Sequence, residues 1–165
     1  MNVRFIDTTV MLNLLEVPDR CSDKELIIKQ WKECLEEKDV LIMPIATIIE
    51  TGNHIAHLSE GNVRRNIAGK FAQFLIKTAN DEAPWKMYGA SFDSKELKYL
   101  ADNIEDFASR KIGIGDMSII YAYEQYRDTV PAVGTIMIWS TDVHLKSYRD
   151  GQFIDVFRNG QQEDN

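Results

Sequence analysis

Four acidic residues in this chain stand where they could gather around a cation. Asp7 directly follows the apolar run Val3 to Ile6, and Asp142 follows the run Ala132 to Trp139 with Ser140 and Thr141 between. Asp116 comes after Gly113-Ile114-Gly115 and opens a helical segment. Glu50 lies inside another helical segment, about one and a half turns after Pro44. Two carboxylates about 4 Å apart repel by roughly 4 kcal/mol at an effective dielectric near 20, so four together are costly without a cation. Magnesium is a hard cation that takes oxygen ligands and keeps several waters. With one or two such ions bound, a site of this kind could polarise a phosphodiester, generate hydroxide and steady the leaving oxygen, with no protein nucleophile.

Each acid also has an ordinary explanation. Asp116 fits a helix N-cap, where a carboxylate accepts hydrogen bonds from the first backbone N–H groups and the helix end favours its charge. A helical glutamate such as Glu50 is usually just solvated. The elements around the four acids decide between the two views.

Those elements read as strands alternating with helices. Val3 to Ile6 is a short apolar strand, and Thr8 to Glu16 a helix ended by Pro18, which cannot continue it comfortably. Asp23 to Lys38 is a second helix, with Leu26, Ile27, Trp31, Cys34 and Leu35 at helical spacing. Val40 to Met43 is a second strand, and Pro44 starts a third helix in the first-turn position. At 100° per residue, Ile45, Ile48, Ile49, Ile55 and Ala56 form its apolar face, with Gly52 allowing close approach and Glu50 on the flank near Asn53 and His57. Helices follow at Val63 to Thr78, Ser94 to Ala108 and Asp116 to Arg127, and residues 80 to 92 form a longer connection. Ala132 to Trp139 lacks alternation, as a strand covered on both faces does. A helical turn at Val143 to Tyr148 and a strand at Phe153 to Phe157 complete the order.

This alternation predicts an α/β domain with a mainly parallel sheet. In such sheets ligands bind outside the carboxyl ends of the strands, the edge at which Asp7 and Asp142 both fall. The 165 residues suit one domain over 1–159, with a polar, frayed tail at 160–165. A chain of this size buries roughly 70% of its unfolded surface, so it needs no disulfide. Cys21 and Cys34 fall in a region that reads as helical and lack metal-type spacing. The start carries no long apolar segment and no stretch is long enough to cross a bilayer. The expected setting is a reducing cytoplasm, with no membrane contact.

The net charge of −7 runs against a nucleic-acid partner, which normally shows as a basic surface. A carboxylate-rich metal site accounts for part of that acidity. Local basic clusters also exist: Arg64-Arg65 with Lys70, Arg110-Lys111, and Lys146 with Arg149. Each of these is more commonly a solvated face.

At the four acids the chain resembles a known family. Phe5-Ile6-Asp7-Thr8-Thr9-Val10 is similar to the opening of a PIN domain, in which a hydrophobic strand ends in the first catalytic acid. Pro44-Ile45-Ala46-Thr47-Ile48-Ile49-Glu50 resembles its second element, a helix that carries the second acid. Gly113-Ile114-Gly115-Asp116-Met117-Ser118-Ile119 resembles the third, and Ile136-Met137-Ile138-Trp139-Ser140-Thr141-Asp142 the fourth, a strand ending in Ser/Thr-x-Asp. The resemblance spans nearly the whole chain. It implies a PIN-like three-layer α/β/α sandwich with a mainly parallel central sheet. It further implies a metal-dependent endoribonuclease using Mg²⁺ or Mn²⁺ on RNA or single-stranded nucleic acid. Many small members are VapC-type toxins that form homodimers and are silenced by an antitoxin protein. Asp7 and Asp116 would then be the principal metal ligands, Glu50 and Asp142 would complete the catalytic site, and Thr9 and Ser140 would support it. The chain departs from the commonest small toxin in its acidity and in its length, mainly through residues 80 to 100.

Other readings compete. His54 and His57 follow Glu50 on one helix side and could ligate zinc, although the spacing is not HExxH and His144 is remote. A PIN-like scaffold without catalysis, binding RNA or protein, is the alternative outside enzymes. A nucleotide-binding or receiver-like domain lacks its signatures here, since no GxGxxG or GxxxxGK[ST] run occurs. Trp85, Tyr88 and Phe92 could form a base-stacking lip, although a core or loop-anchoring role is the commoner use of such aromatics.

Overall fold

A computed structural model describes residues 1–89, 93–131 and 134–151 of the chain. Its centre is β1 (Val3–Ile6), flanked by β2 (Val40–Met43) and β4 (Thr135–Trp139), both parallel to it. Outside β2 lies β3 (Trp85–Met87), also parallel, and outside β4 lies β5 (Arg149–Gly151), antiparallel. The order is therefore β3-β2-β1-β4-β5. The register sets Phe5 beside Ile42 on one side and Ile138 on the other. All five strands are short, so the sheet depends on the helices that cover it.

Seven helices are present among the described residues: α1 (Thr8–Leu14), α2 (Lys24–Glu36), α3 (Ile45–Ala56), α4 (Gly61–Ala79), α5 (Ser94–Ser109), α6 (Ile114–Thr129) and α7 (Val143–Lys146). Successive strand residues point to opposite faces, and two cores result. Val3, Phe5, Ile136 and Ile138 pack with Leu100 and Phe107 of α5 and Met117, Ile120 and Tyr123 of α6. Ile6, Leu41, Met43 and Trp139 pack with Val10 and Met11 of α1, Ile27 and Cys34 of α2, and Ile67 and Phe71 of α4. The architecture is α/β with a mostly parallel sheet, compatible with a three-layer α/β/α fold. Among the described residues no helix is long and apolar enough to cross a membrane.

Several expectations need correction. The connection over 80 to 92 contains an edge strand: Trp85 pairs with Leu41 and Met87 with Met43. Three residues are too few to show alternation in sequence, and the strand exists because β2 offers a free edge. Trp85 takes the core role that is the commoner one for such aromatics, and not that of a stacking lip. It is 5% exposed, stacks on Phe74 with ring centroids 5.4 Å apart, and donates from Nε1 to Thr78 Oγ1 at 2.8 Å. Tyr88 packs edge-on against Phe5 and Tyr126; Phe92 lies outside the described residues.

The apolar face expected for α3 is also revised. Ile49 and Ala56 are exposed, whereas Ala46, Thr47, Thr51 and Ile55 are buried. Thr47 Oγ1 donates to the Ile6 carbonyl at 2.7 Å, a polar contact that hydrophobic spacing cannot show. A Cβ at Gly52 would have its nearest neighbour at 3.9 Å, so no close approach depends on that glycine. Pro44 is the N-cap of α3 rather than its first helical residue. Cys21 sits in the loop after α1, Cys34 on α2, and both are free thiols. The strand expected at Phe153 to Phe157, the tail at 160–165 and the first residues of the Ala132 run fall outside the described residues; the described strands there are β4 and β5.

Candidate active site at the carboxyl ends of β1 and β4

Where β1 and β4 end side by side, the chain opens a cleft of about 370 Å³. Asp7, Glu50, Asp116 and Asp142 all line it. They arrive from four separate parts of the fold, as the four positions in sequence required.

Asp7 follows β1 and caps α1, its backbone N–H donating to the Trp139 carbonyl at 3.1 Å. Its side chain is 1% exposed. Oδ2 accepts from Thr9 Oγ1 at 2.7 Å, Ser140 Oγ at 2.7 Å and Thr9 N at 3.2 Å. The two hydroxyls are held in turn: Thr141 N donates to Thr9 Oγ1 at 2.9 Å and Asp142 N to Ser140 Oγ at 2.8 Å. The Ser-Thr-Asp turn after β4 is thus sewn to the Asp-Thr-Thr turn after β1. A hydroxyl can donate and accept at once, which is why this relay needs Thr9 and Ser140. Because all three donors fall on Oδ2, Oδ1 is left for the cleft.

Glu50 projects from α3, and its Oε2 accepts from Thr8 Oγ1 at 3.0 Å. Its carboxylate occupies the space over Gly115, where a Cβ would overlap it. That contact brings the acid of α3 to the start of α6. Asp116 lies in the first turn of α6, which begins at Ile114 with Gly113 as N-cap. Asp116 is therefore not the N-cap residue, but its carboxylate reaches back to the Gly113 backbone N–H, as in a capping box, at the favourable helix end. Burial first, and then the charges of Asp7, Glu50 and Asp142, raise its carboxyl from the ordinary 3.8 to about 7. Asp142 is exposed and caps the short α7, with Oδ1 accepting from His144 N at 2.7 Å.

Sequence reading missed several other residues of the cleft, among them Thr8, Asn13, Arg20 and Asp23. Asn13 offered a signal: it is polar within the apolar stretch Val10 to Leu15, yet 2% exposed. Its Nδ2 donates to the Thr9 carbonyl at 2.8 Å and its Oδ1 accepts from Asp23 N at 3.0 Å. Of the histidines, His54 lines the cleft, whereas His57 is exposed at the end of α3 with Nδ1 2.7 Å from the Asn53 carbonyl. The clusters at Arg64-Arg65 with Lys70, Arg110-Lys111, and Lys146 with Arg149 do not line it.

The donors that converge here are hard oxygens, which suits Mg²⁺ or Mn²⁺ better than zinc. Among the described residues no group of three or more His, Cys, Asp or Glu side chains is placed so that it could hold a metal ion. Magnesium is commonly held by one or two carboxylates, waters and substrate phosphates rather than by a complete protein cage. Burial, and after it the neighbouring carboxylates, lift the Asp116 carboxyl, and a bound cation would stabilise its charged form against both. No protein-family model matches the chain, and no curated protein matches it.

Proposed function

We propose that the chain is a PIN-like, Mg²⁺- or Mn²⁺-dependent nuclease that hydrolyses phosphodiester bonds in RNA or single-stranded nucleic acid. One observation carries the proposal. Four carboxylates separated by most of the chain line a single cleft at the carboxyl edge of a parallel sheet, where burial and then the charges of three of them raise the proton affinity of the fourth. Asp7 and Asp116 would hold the metal, with Glu50 and Asp142 completing the site. A bound divalent ion would supply a polarised phosphodiester and an activated water. The chain's own part is placement. Thr9 and Ser140 fix the orientation of Asp7, Thr8 fixes Glu50, and the exposed Asp142 meets solvent and substrate at the rim.

In its narrower form the proposal makes the chain the toxin of a toxin–antitoxin pair, a homodimer silenced by its antitoxin. Growth arrest on induced expression, lifted by Asp7→Asn, supports that form. The broader test is cleavage of a mixed RNA in Mg²⁺ and in Mn²⁺, with EDTA and Asp7→Asn as controls. Metal-dependent cleavage that the variant lacks is expected. A second reading, a binding module without catalysis, draws on the lack of a ready metal cage among the described residues. Folded protein that binds RNA and cleaves neither RNA nor single-stranded DNA, even with manganese, would establish that reading instead.

A further inference from the structure

The loop between α1 and α2 is tied at both ends. Val17 is fully buried, and its N–H donates to the Leu12 carbonyl at 2.9 Å. Arg20 N donates to the Val17 carbonyl at 3.0 Å, and Asn13 holds Asp23 N at the far end. Glu16 at φ 56° closes α1 with the same left-handed residue after the helix end that Lys38, Asp81 and Lys111 supply after α2, α4 and α5, and Asp19 at φ 61° adds a left-handed turn inside the loop. Lys24 pairs with Glu16 at 3.0 Å across the loop. The result is a fixed turn that sets Arg20 on the wall of the acidic cleft.

Arg20 is exposed, and among the described residues it forms no ion pair, although Asp23 and the four acids line the same cleft. A cation placed to neutralise those acids would be paired with one of them. Arg20 keeps its guanidinium open. That group is planar and always charged, and its fork of N–H donors matches a phosphate bidentately. A nucleic-acid strand entering this cleft must bring its phosphates past several carboxylates, on a protein of net charge −7. A cation on the wall offsets that repulsion at a phosphate beside the reacting one.

We propose that Arg20 is the phosphate-binding residue of this cleft, holding a backbone phosphate of a single-stranded nucleic acid next to the one that lies among the carboxylates. The inference rests on the nuclease reading, so its test is designed to fail separately. A labelled single-stranded oligoribonucleotide is titrated with wild-type protein, Arg20→Ala and Arg20→Lys, in Ca²⁺, over a series of salt concentrations. Arg20→Ala should weaken binding about tenfold, the size of one charge-assisted contact. It should also flatten the slope of log affinity against log salt by about 0.7, the value of one phosphate contact on a single strand. Arg20→Lys should restore the slope but only part of the affinity, since it keeps the charge and loses the fork. In Mg²⁺, Arg20→Ala should raise KM and leave kcat close to wild type. Matching thermal melts show that the loop still folds, a structural role alone leaving the slope unmoved. A wild-type slope and affinity in Arg20→Ala would overturn the assignment and leave the nuclease reading standing. An Arg20-dependent slope in wild-type protein that cleaves nothing would uphold Arg20 as a phosphate contact and overturn the nuclease reading.

Discussion

Replacing Asp116 by asparagine should make the metal-free protein more stable while disabling the cleft. Burial, and then the charges of Asp7, Glu50 and Asp142, lift its carboxyl from 3.8 to about 7. A carboxyl raised in this way keeps its proton in the folded chain at pH values where the unfolded chain has released it. This group's contribution to stability is therefore fully present below about pH 4 and is lost as pH rises to about 7, because the folded state binds more protons over that interval. At 1.36 kcal/mol per decade, the interval from 3.8 to about 7 corresponds to about 4 kcal/mol. The side chain is partly open to water, screening removes roughly half, and a cost of about 2 kcal/mol remains at about pH 8. Asparagine keeps the shape without the charge. Asp116→Asn should then melt higher than wild type by roughly 4–8 °C in EDTA at about pH 8, with the gap closing near pH 4. Magnesium should reverse the order. A ligand at a hundred times its dissociation constant stabilises by about 2.7 kcal/mol, a gain the variant should largely lack. Circular dichroism melts of both proteins at the two pH values, with EDTA and with Mg²⁺, decide the matter. An asparagine variant no more stable than wild type at about pH 8 in EDTA would mean that the four carboxylates do not burden one another, and the case for a cation among them would go with it.

Three further variants separate positioning from packing. Gly115→Ala adds a Cβ where the Glu50 carboxylate now sits, so cleavage should fall while the melting temperature holds or rises, alanine being about 0.5–1 kcal/mol better than glycine within a helix; loss of both together would refute the steric account. Ser140→Ala removes the hydroxyl that joins Asp142 N to Asp7 Oδ2. Urea unfolding should show a loss of about 1–3 kcal/mol and kinetics a fall in kcat, and no change in either would show that the relay is idle. Trp85→Ala should cost about 3–5 kcal/mol in stability with RNA affinity unchanged, whereas lost affinity in an equally stable protein would return Trp85 to a base-contacting role.

How much of this was legible in sequence varies by element, for physical reasons. The bounds of β1 and β2 follow from short apolar runs closed by Asp7 and Pro44, and the structure has them at Val3–Ile6 and Val40–Met43. Asp7 and Asp142 reach one edge because both terminate parallel neighbours. Glu50 was harder to place. Its approach to α6 depends on the empty side of Gly115, sixty-five positions away in the chain. Hydrophobic spacing chose Ile49 for the buried face of α3, but that helix lies over the end of β1, where the Ile6 carbonyl needs a donor and Thr47 supplies it. Arg20 was invisible because its position is set by a loop with two left-handed residues, and periodicity carries no information about loops.

The tie between the turn after β4 and the turn after β1 has a temporal consequence. Asp7 leaves the ribosome well before Ser140, which fixes it, and Asp142, which completes the rim. Chains are made N-terminus first, at about 5–20 residues per second. Between the emergence of β1 and that of β4 the nascent polypeptide therefore carries an unfinished cleft, with β4 not yet inserted beside β1. Whatever chemistry the cleft performs is latent until β4 and the turn after it have joined β1.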